Sequence, residues 1–430
     1  MKTHNLKFIF TLAIMLVASL GFAQRSEIQY YRYNDQRGIN VFETSKDNDV
    51  AFDGIKVRVG GDFNLQFQGI SQSNYIDAPA TGSLIELSNN FNLPSANLNL
   101  DVQLYDGLRL HMRTYLSSRH HTEAYVKGGY LQIDKLEFIQ PGFLSGLMDF
   151  TTIKVGMDDI NYGDTHFRRS DNANTIFNPF VGNYLMDAFT TEPYLEVTVQ
   201  PADFIGVIGF TNGRLNQSPT PGDDGFVFYA KLGYDNQIND DLRIRLTGSV
   251  YNSSDKGTRD YLYLADRAGA NYFSVMSYNT LDANGNPTVK KNDFGGRVNP
   301  GFAYHTAFQI APFVKFKGLE FFGVYELSSN GNSDIGGSYT QLGAEALYRF
   351  GKDEKFYAGG RFNSVTGNKT DVAADEDVKR FNIGAGWFLT KNVMTKLEYV
   401  KQTYEGDAFN GSIFQDAEFD GIVLEATIAF

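Results

Sequence analysis

The chain has no cysteine, one tryptophan and 11 prolines in 430 residues. Without cysteine there is no disulfide framework, no thiolate metal site and no cysteine nucleophile. Beyond residue 23 it also lacks any apolar run of the roughly 20 residues that a helix needs to cross a bilayer, so membrane residence would have to use strands. Excess positive charge is missing too. The formal net charge is −12, which argues against nucleic acid as a partner. A length of 430 residues would suit two or three soluble domains, yet no linker-like stretch divides it. Proline, which cannot donate to a strand ladder, is scarce beside 43 glycines, a balance that suits many strands joined by tight turns.

What is present starts with Lys2 and Lys7, an apolar stretch over 8–20 and the small-residue site Gly21-Phe22-Ala23. That is the pattern of a cleaved secretory signal peptide over residues 1–23, the apolar run being short for a membrane anchor. Residues 24–54 are polar, tyrosine-rich and weakly patterned, and are expected to form a periplasmic N-terminal extension. From residue 55 to 430 the dominant signal is period-two alternation. In the final segment Ile422, Leu424, Ala426, Ile428 and Phe430 share one face, while Val423, Glu425, Thr427 and Ala429 share the other. The segment 55–68 does the same, with Ile55, Val57, Val59, Phe63, Leu65 and Phe67 opposite Lys56, Arg58, Asp62, Asn64, Gln66 and Gln68. Residues 95–118 read as a hairpin about Asp106-Gly107.

Similar segments fall near 124–138, 151–156, 194–200, 204–211, 226–234, 242–252, 304–316, 319–328, 339–350, 355–365, 378–389, 393–404 and 419–430. Short connections (106–107, 201–203, 236–240, 317–318, 351–355, 390–392) alternate with long ones (69–94, 157–193, 253–303, 329–338, 405–418). A soluble sandwich has no reason to keep that alternation. Aromatic residues gather near strand ends, among them Trp387, Tyr348, Phe350 and Phe313, as an interfacial girdle would require. The sequence therefore predicts an all-β fold: a transmembrane antiparallel β-barrel of about sixteen strands, with short periplasmic turns and long extracellular loops, embedded in outer-membrane lipid. No plug domain of about 100 residues precedes the first strand, and a plugged barrel of about 22 strands would not fit this length.

If the apolar faces meet lipid, the alternate positions line the lumen. The basic candidates are Arg109, His111 and Arg113 in succession, Arg243 and Arg245, and Arg58, Lys154, Arg349 and Arg361. The acidic candidates are Asp62, Asp101, Glu196, Glu326, Glu345, Glu398 and Glu425. A ladder of like charge on one wall would focus a field across an aqueous path, whereas a solvated face of paired charges would not. The long segment 157–193 mixes Arg168, Arg169, Asp158, Asp159, Asp164 and Asp171 with Phe167, Ile176, Phe177, Phe180, Val181, Leu185 and Met186. That much apolar surface is expected to fold against the barrel interior, or else over a subunit interface.

The mature chain resembles sixteen-stranded outer-membrane porins. The run IKVGMDDINYGD at 153–164, with NPFVGNY at 178–184, is similar to the phosphate-selective porin O and P-like family of Bacteroidota. The resemblance implies passive diffusion of small hydrophilic, including anionic, solutes through a water-filled lumen narrowed by the third long loop, here 157–193 with Arg168, Arg169, Asp164 and Asp171. It also implies a homotrimer and recognition of the terminal Phe430 strand by the barrel-assembly machinery. No cofactor is implied. Phosphate-selective members carry a lysine-rich constriction, and this loop has arginine only at Arg168 and Arg169 and no lysine. Two other readings use the same residues. One is a structural or secretion-associated barrel whose lumen is blocked by 253–303 and the N-terminal extension. The other is a loop-borne hydrolase using Asp158-Asp159 or Asp223-Asp224 with His166. His120-His121 with Glu123 points to opposite strand faces and makes a poor metal site. The Asp282 and Ser329 regions lack the spacing of calcium loops.

Overall fold

The computed structural model describes residues 26–430 apart from 49, 78–79, 121, 216–225, 255–261 and 264–270. The signal segment expected over 1–23 lies outside the described residues, as do His121 and Asp223-Asp224. Among the described residues, sixteen long strands form one antiparallel sheet closed on itself. They are β1 (Lys56–Ser73), β2 (Ala96–Tyr105), β3 (Leu108–Leu116), β4 (Tyr125–Ile133), β5 (Thr151–Asp159), β6 (Thr191–Val199), β7 (Phe204–Thr211) and β8 (Val227–Asn239). The second half comprises β9 (Leu242–Ser253), β10 (His305–Phe316), β11 (Leu319–Asn330), β12 (Ser338–Phe350), β13 (Phe356–Asn368), β14 (Glu376–Thr390), β15 (Val393–Glu405) and β16 (Glu418–Ala429).

Closure depends on β1. Its first half pairs with β2, from Lys56 opposite Gln103 to Phe63 opposite Ala96, and its second half pairs with β16, from Asp62 opposite Ala429 to Ser73 opposite Glu418. The 18-residue strand thus carries the stagger that tilted strands need in order to close. At the seam the Gly61 and Phe430 backbones exchange hydrogen bonds of 2.8 and 3.0 Å. Gly61 is required there, because a Cβ would lie 2.3 Å from the Asn97 carbonyl oxygen.

Side chains alternate between lipid and lumen as the sequence pattern requires. On β16, Ile422, Leu424 and Ile428 are exposed, whereas Val423, Glu425 and Thr427 are buried. Among the described residues the register shifts at four places, three of them beside turns (Gln103/Tyr105, Leu242/Arg243 and Phe388/Thr390) and one farther into the wall, between Arg113 and Thr114 of β3 as they face β4. This last bulge turns both Lys127 and Gly128 inward, and it lies beyond Arg113, so Arg109, His111 and Arg113 keep a common face. Outside the barrel, near the short turns, Tyr348, Phe350, Phe356 and Trp387 form a run of stacked rings with centroids 5.7 to 6.0 Å apart. Phe313 does not join this girdle. It points into the lumen and packs on Phe42, because its place on β10 has inward parity. The strand expected over 124–138 stops at Ile133. Pro141 lacks the ladder donor, Gly142 takes φ +71°, and the connection becomes a series of turns ending in one helical turn at Ser145–Met148.

A depth-graded lipid face makes a stability prediction. Leu424→Arg, halfway along β16, should cost about 2–4 kcal/mol in reversible unfolding from lipid vesicles, and Thr395→Arg, near the periplasmic turn, about 0–1 kcal/mol. Equal costs at the two depths would contradict the assignment of these faces.

Candidate functional site

The inward wall is highly charged, and nearly all of that charge is buried. Arg58 and Asp62 on β1, Asp101 on β2, Arg109, His111 and Arg113 on β3, Arg245 on β9, Glu345 on β12 and Glu398 on β15 are each at most 8% exposed. Lys154 on β5 and Arg243 on β9 are half-buried. The basic ladder on β3 is compensated. Arg109 donates to Asp101 at 2.6 Å, His111 lies 2.8 Å from the same carboxylate, and Arg113 donates to Asp158 at 3.1 Å. Arg243 likewise pairs with Asp235 at 2.7 Å, and Asn64 donates to Asp62.

The loop between β5 and β6, residues 160–190, runs inside the barrel without regular structure beyond two short 3-10 turns. Irregular backbone at membrane depth needs partners for its polar groups. Inward side chains of β12 to β15 supply them. Lys396 donates to the carbonyls of Thr175 and Phe180, and the Tyr357 hydroxyl donates to that of Pro179 at 3.0 Å. The Val181 N–H donates to Glu398 at 2.7 Å. Arg361 and Arg380 donate to the carbonyls of Gly182 and Asn183 at 2.6 and 2.7 Å. Asn363 accepts from Leu185 N–H, and Gln341 both accepts from and donates to the Met186 backbone. Glycine on the wall makes room: a Cβ on Gly343 would lie 2.5 Å from the Tyr184 ring.

Charged side chains fasten the loop further. Arg168 reaches Glu345, which also pairs with Arg361 at 2.8 Å. Asp164 accepts from Arg245 at 2.8 Å, Lys231 at 2.9 Å and Thr247 at 2.8 Å. Burial opposes ionisation of Asp164, but Arg245 and Lys231 outweigh it and hold the carboxyl well below the usual range. Arg169 pairs with Asp187 at 2.7 Å within the loop, and Asp171 meets Lys127 of the wall. The sequence reading missed Lys231, Arg380 and Lys396. Lys396 was recoverable, since it shares inward parity with Glu398 on β15.

Two further segments occupy the lumen. In its outer half, Tyr272, Val275, Met276, Val298 and Phe302 from the loop after β9 pack with Val181, Leu185 and Met186. Tyr272 donates to Glu398 at 2.6 Å and Tyr263 to Glu326 at 2.8 Å. In the periplasmic half lie residues 26–48, part of the 24–54 stretch that the sequence reads as a periplasmic extension and, in the alternative reading, as a segment blocking the lumen. Its polar groups find partners in the wall, the turns and the 160–190 loop, as with Asn34 on the Gly61 carbonyl, Lys46 on Asp134 and Arg32 on the Phe167 carbonyl, while Arg37 pairs with Asp35 within the segment. Glu43 is 2.8 Å from Arg245 and 3.2 Å from Lys231, and these cations outweigh its burial and hold its carboxyl low. Between this segment, the 160–190 loop and the wall from β2 to β6 remains a polar cavity of about 150 Å³, lined among others by Tyr31, Arg32, Arg109, His111, Arg113, Lys154 and Glu196.

Both nitrogens of His166 are engaged, Nδ1 with Asp159 at 3.0 Å and Nε2 with Asn161 at 3.1 Å. The Asp159–His166 pair that the carboxylate hydrolase reading calls for is thus formed, with the second imidazole nitrogen committed to Asn161. The described residues hold no His/Asp/Glu cluster fit for a metal.

No family model and no curated protein sequence matches the chain. Solved structures do. A loop-deletion mutant of OmpT, an outer membrane protein of Vibrio cholerae, superposes with a TM-score of 0.51 at 11% identity, covering 88% of this chain and 100% of that one. The outer membrane channel DcaP of Acinetobacter baumannii gives 0.52 at 12% identity, with coverage of 88% and 99%. OmpF of Salmonella typhi gives 0.50 at 13% identity, with coverage of 89% and 99%. The chain has the closed sixteen-stranded fold of bacterial outer-membrane barrels of the porin type.

Proposed function

We propose that the protein is a porin-type channel that passes small hydrophilic solutes across the outer membrane. The observation that carries this reading is the unequal filling of the lumen. The β12–β15 side is sealed by loop backbone, whereas the β2–β6 side keeps a polar cavity. Passage runs along that second wall, and the 160–190 loop sets its width. Four basic side chains (Arg32, Arg109, Arg113, Lys154) and five carboxylates (Glu43, Asp101, Asp158, Asp159, Glu196) line the cavity. The β3 cations are already compensated, so the lining offers hydrogen bonds to solutes of either sign and only weak ion selectivity. Kinship with the phosphate-selective porin O and P-like family, carried by the runs at 153–164 and 178–184, would instead favour anions. Assembly as a homotrimer belongs to the same proposal.

Purified protein in planar bilayers should give a small ohmic conductance, with a reversal potential near zero in a KCl gradient. Strong anion preference would favour the family kinship over the balanced lining. Absence of any conductance would overturn the channel reading and favour a sealed structural barrel, the alternative suggested by the apolar packing of the outer lumen.

The loop's role has its own test. Asp164→Ala leaves Arg245 and Lys231 short of a buried partner, a loss of about 3–5 kcal/mol for a broken buried pair. Trypsin should leave the native loop intact at Arg168 and Arg169 and cut the variant there, with a rise in conductance. Equal resistance in both proteins would show that Asp164 does not hold the loop.

A further inference from the structure

The segment over residues 26–48 separates two spaces. Tyr31, Arg32, Asn34, Phe42, Glu43 and Thr44 line the 150 Å³ cavity. Gln36, Arg37, Ile39 and Asn40 line a wide vestibule of about 810 Å³ at the periplasmic mouth, among the turn residues Asp241, Lys317, Asp353 and Lys391. Among the described residues no other segment lines both, so this one lies between the cavity and the vestibule.

It is held by individual hydrogen bonds and ion pairs rather than by a strand ladder. It contributes no strand to the barrel, its only regular element being one 3-10 turn at Gln36–Gly38. Side chains and isolated backbone bonds hold it along its length: the Ser26 and Tyr30 carbonyls accept from Arg58, Arg109 and Gln132, Arg32 and Asn34 donate to the carbonyls of Phe167 and Gly61, and Asn40 donates to Glu320 and accepts from Arg168 and Arg243. At the mouth, Gln36 N–H donates to the Lys391 carbonyl at 2.8 Å, and the Gln36 side chain donates to the Asp353 carbonyl at 2.7 Å. At its innermost point Phe42 sits edge-on against Phe167 and Phe313, with centroids at 5.6 and 5.4 Å, while Glu43 engages Arg245 and Lys231. On the return, Lys46 donates to Asp134 at 3.0 Å and to the Thr151 carbonyl at 2.8 Å. Between this point and β1 the chain turns exposed at Ala51, Asp53 and Ile55, and Gly54 takes φ +132° with nothing within 4 Å of a Cβ placed there. Such a stretch can swing without disturbing the sheet.

We propose that residues 26–48 are a gate strap: docked, they narrow the way from the cavity to the periplasm, and swung out about residues 51–55 they widen it. Glu43 and Phe42 are the latch. The proposal rests on the channel reading and adds its control. Release takes Glu43 away from Arg245 and Lys231 and leaves Asp164 as the carboxylate both still meet, so this patch of wall turns more positive when the strap leaves. The 160–190 loop keeps its own wall contacts on β12 to β15, so it stays in place.

The test compares single-channel recordings of the full chain, a deletion of 26–48, the latch variant Glu43→Gln with Phe42→Ala, and the double variant Gln36→Cys with Lys391→Cys. The chain has no other cysteine, so the engineered pair can be oxidised selectively. The deletion should raise unitary conductance several-fold. The latch variant, which keeps the whole chain, should lengthen dwell in that same larger state. Oxidation of the cysteine pair should abolish the larger state, and reduction should restore it. Unchanged conductance in both the deletion and the latch variant, with all proteins conducting, would overturn the strap and leave the channel reading intact. Silence in every protein would instead overturn the channel reading.

Discussion

The structure depends on one constraint: a polypeptide backbone inside a membrane barrel must have its polar groups matched, by protein where it is buried and by water where it lines the lumen. The wall of the barrel meets it internally, because each strand bonds to two neighbours and β1 closes the ring on β16. The 160–190 loop cannot meet it internally, since it has almost no regular structure. Its carbonyls and amides are instead matched by Gln341, Tyr357, Arg361, Asn363, Arg380, Lys396 and Glu398, all pointing inward from four adjacent strands. A hydrogen bond to a charged group contributes about 1.5–3 kcal/mol net, so those from Arg361, Arg380, Lys396 and Glu398 offset part of the entropy of ordering the loop, alongside the burial of Phe180, Val181, Leu185 and Met186.

This divides the wall by role. On β12 to β15 the charges are committed to the loop and to each other, as in Arg168, Glu345 and Arg361. On β2 to β6 the cations meet carboxylates of the wall itself, as in Arg109 with Asp101 and Arg113 with Asp158, and the loop stands off enough to leave a cavity. A high density of lumen charge therefore has two causes in this barrel, and only one of them concerns solutes. The N-terminal strap follows the same rule, since its carbonyls and side chains are matched from the wall and the turns.

The strand order, the two faces and the alternation of short and long connections were legible because each follows from local parity and turn chemistry. Ile422, Leu424 and Ile428 could be assigned to lipid from one segment alone. The burial of Arg58, Asp101, Arg109, His111, Arg113, Arg245, Glu345 and Glu398 follows the same parity, and the bulge at Lys127 spares the β3 set because it lies past Arg113. Partnerships were not legible. Nothing local says that Asp158 meets Arg113, that Glu43 meets Arg245, or that Asp164 gathers Lys231, Arg245 and Thr247, because these contacts join segments 45 to about 200 residues apart. Phe313 shows the limit within a strand: its composition suits a girdle, but its parity sends it inward. The strap was unreadable for a related reason, since a polar, tyrosine-rich stretch satisfies a wet periplasm and a polar lumen equally well.

The central claim is that wall side chains, not solvent, satisfy the backbone of the inward loop. Site-resolved amide hydrogen exchange tests it most directly. The account predicts that Val181, Leu185 and Met186 exchange as slowly as amides in the strands, and that Glu398→Ala speeds exchange at Val181 while leaving strand amides slow. Exchange of these three amides at the rate of an open surface loop would contradict it.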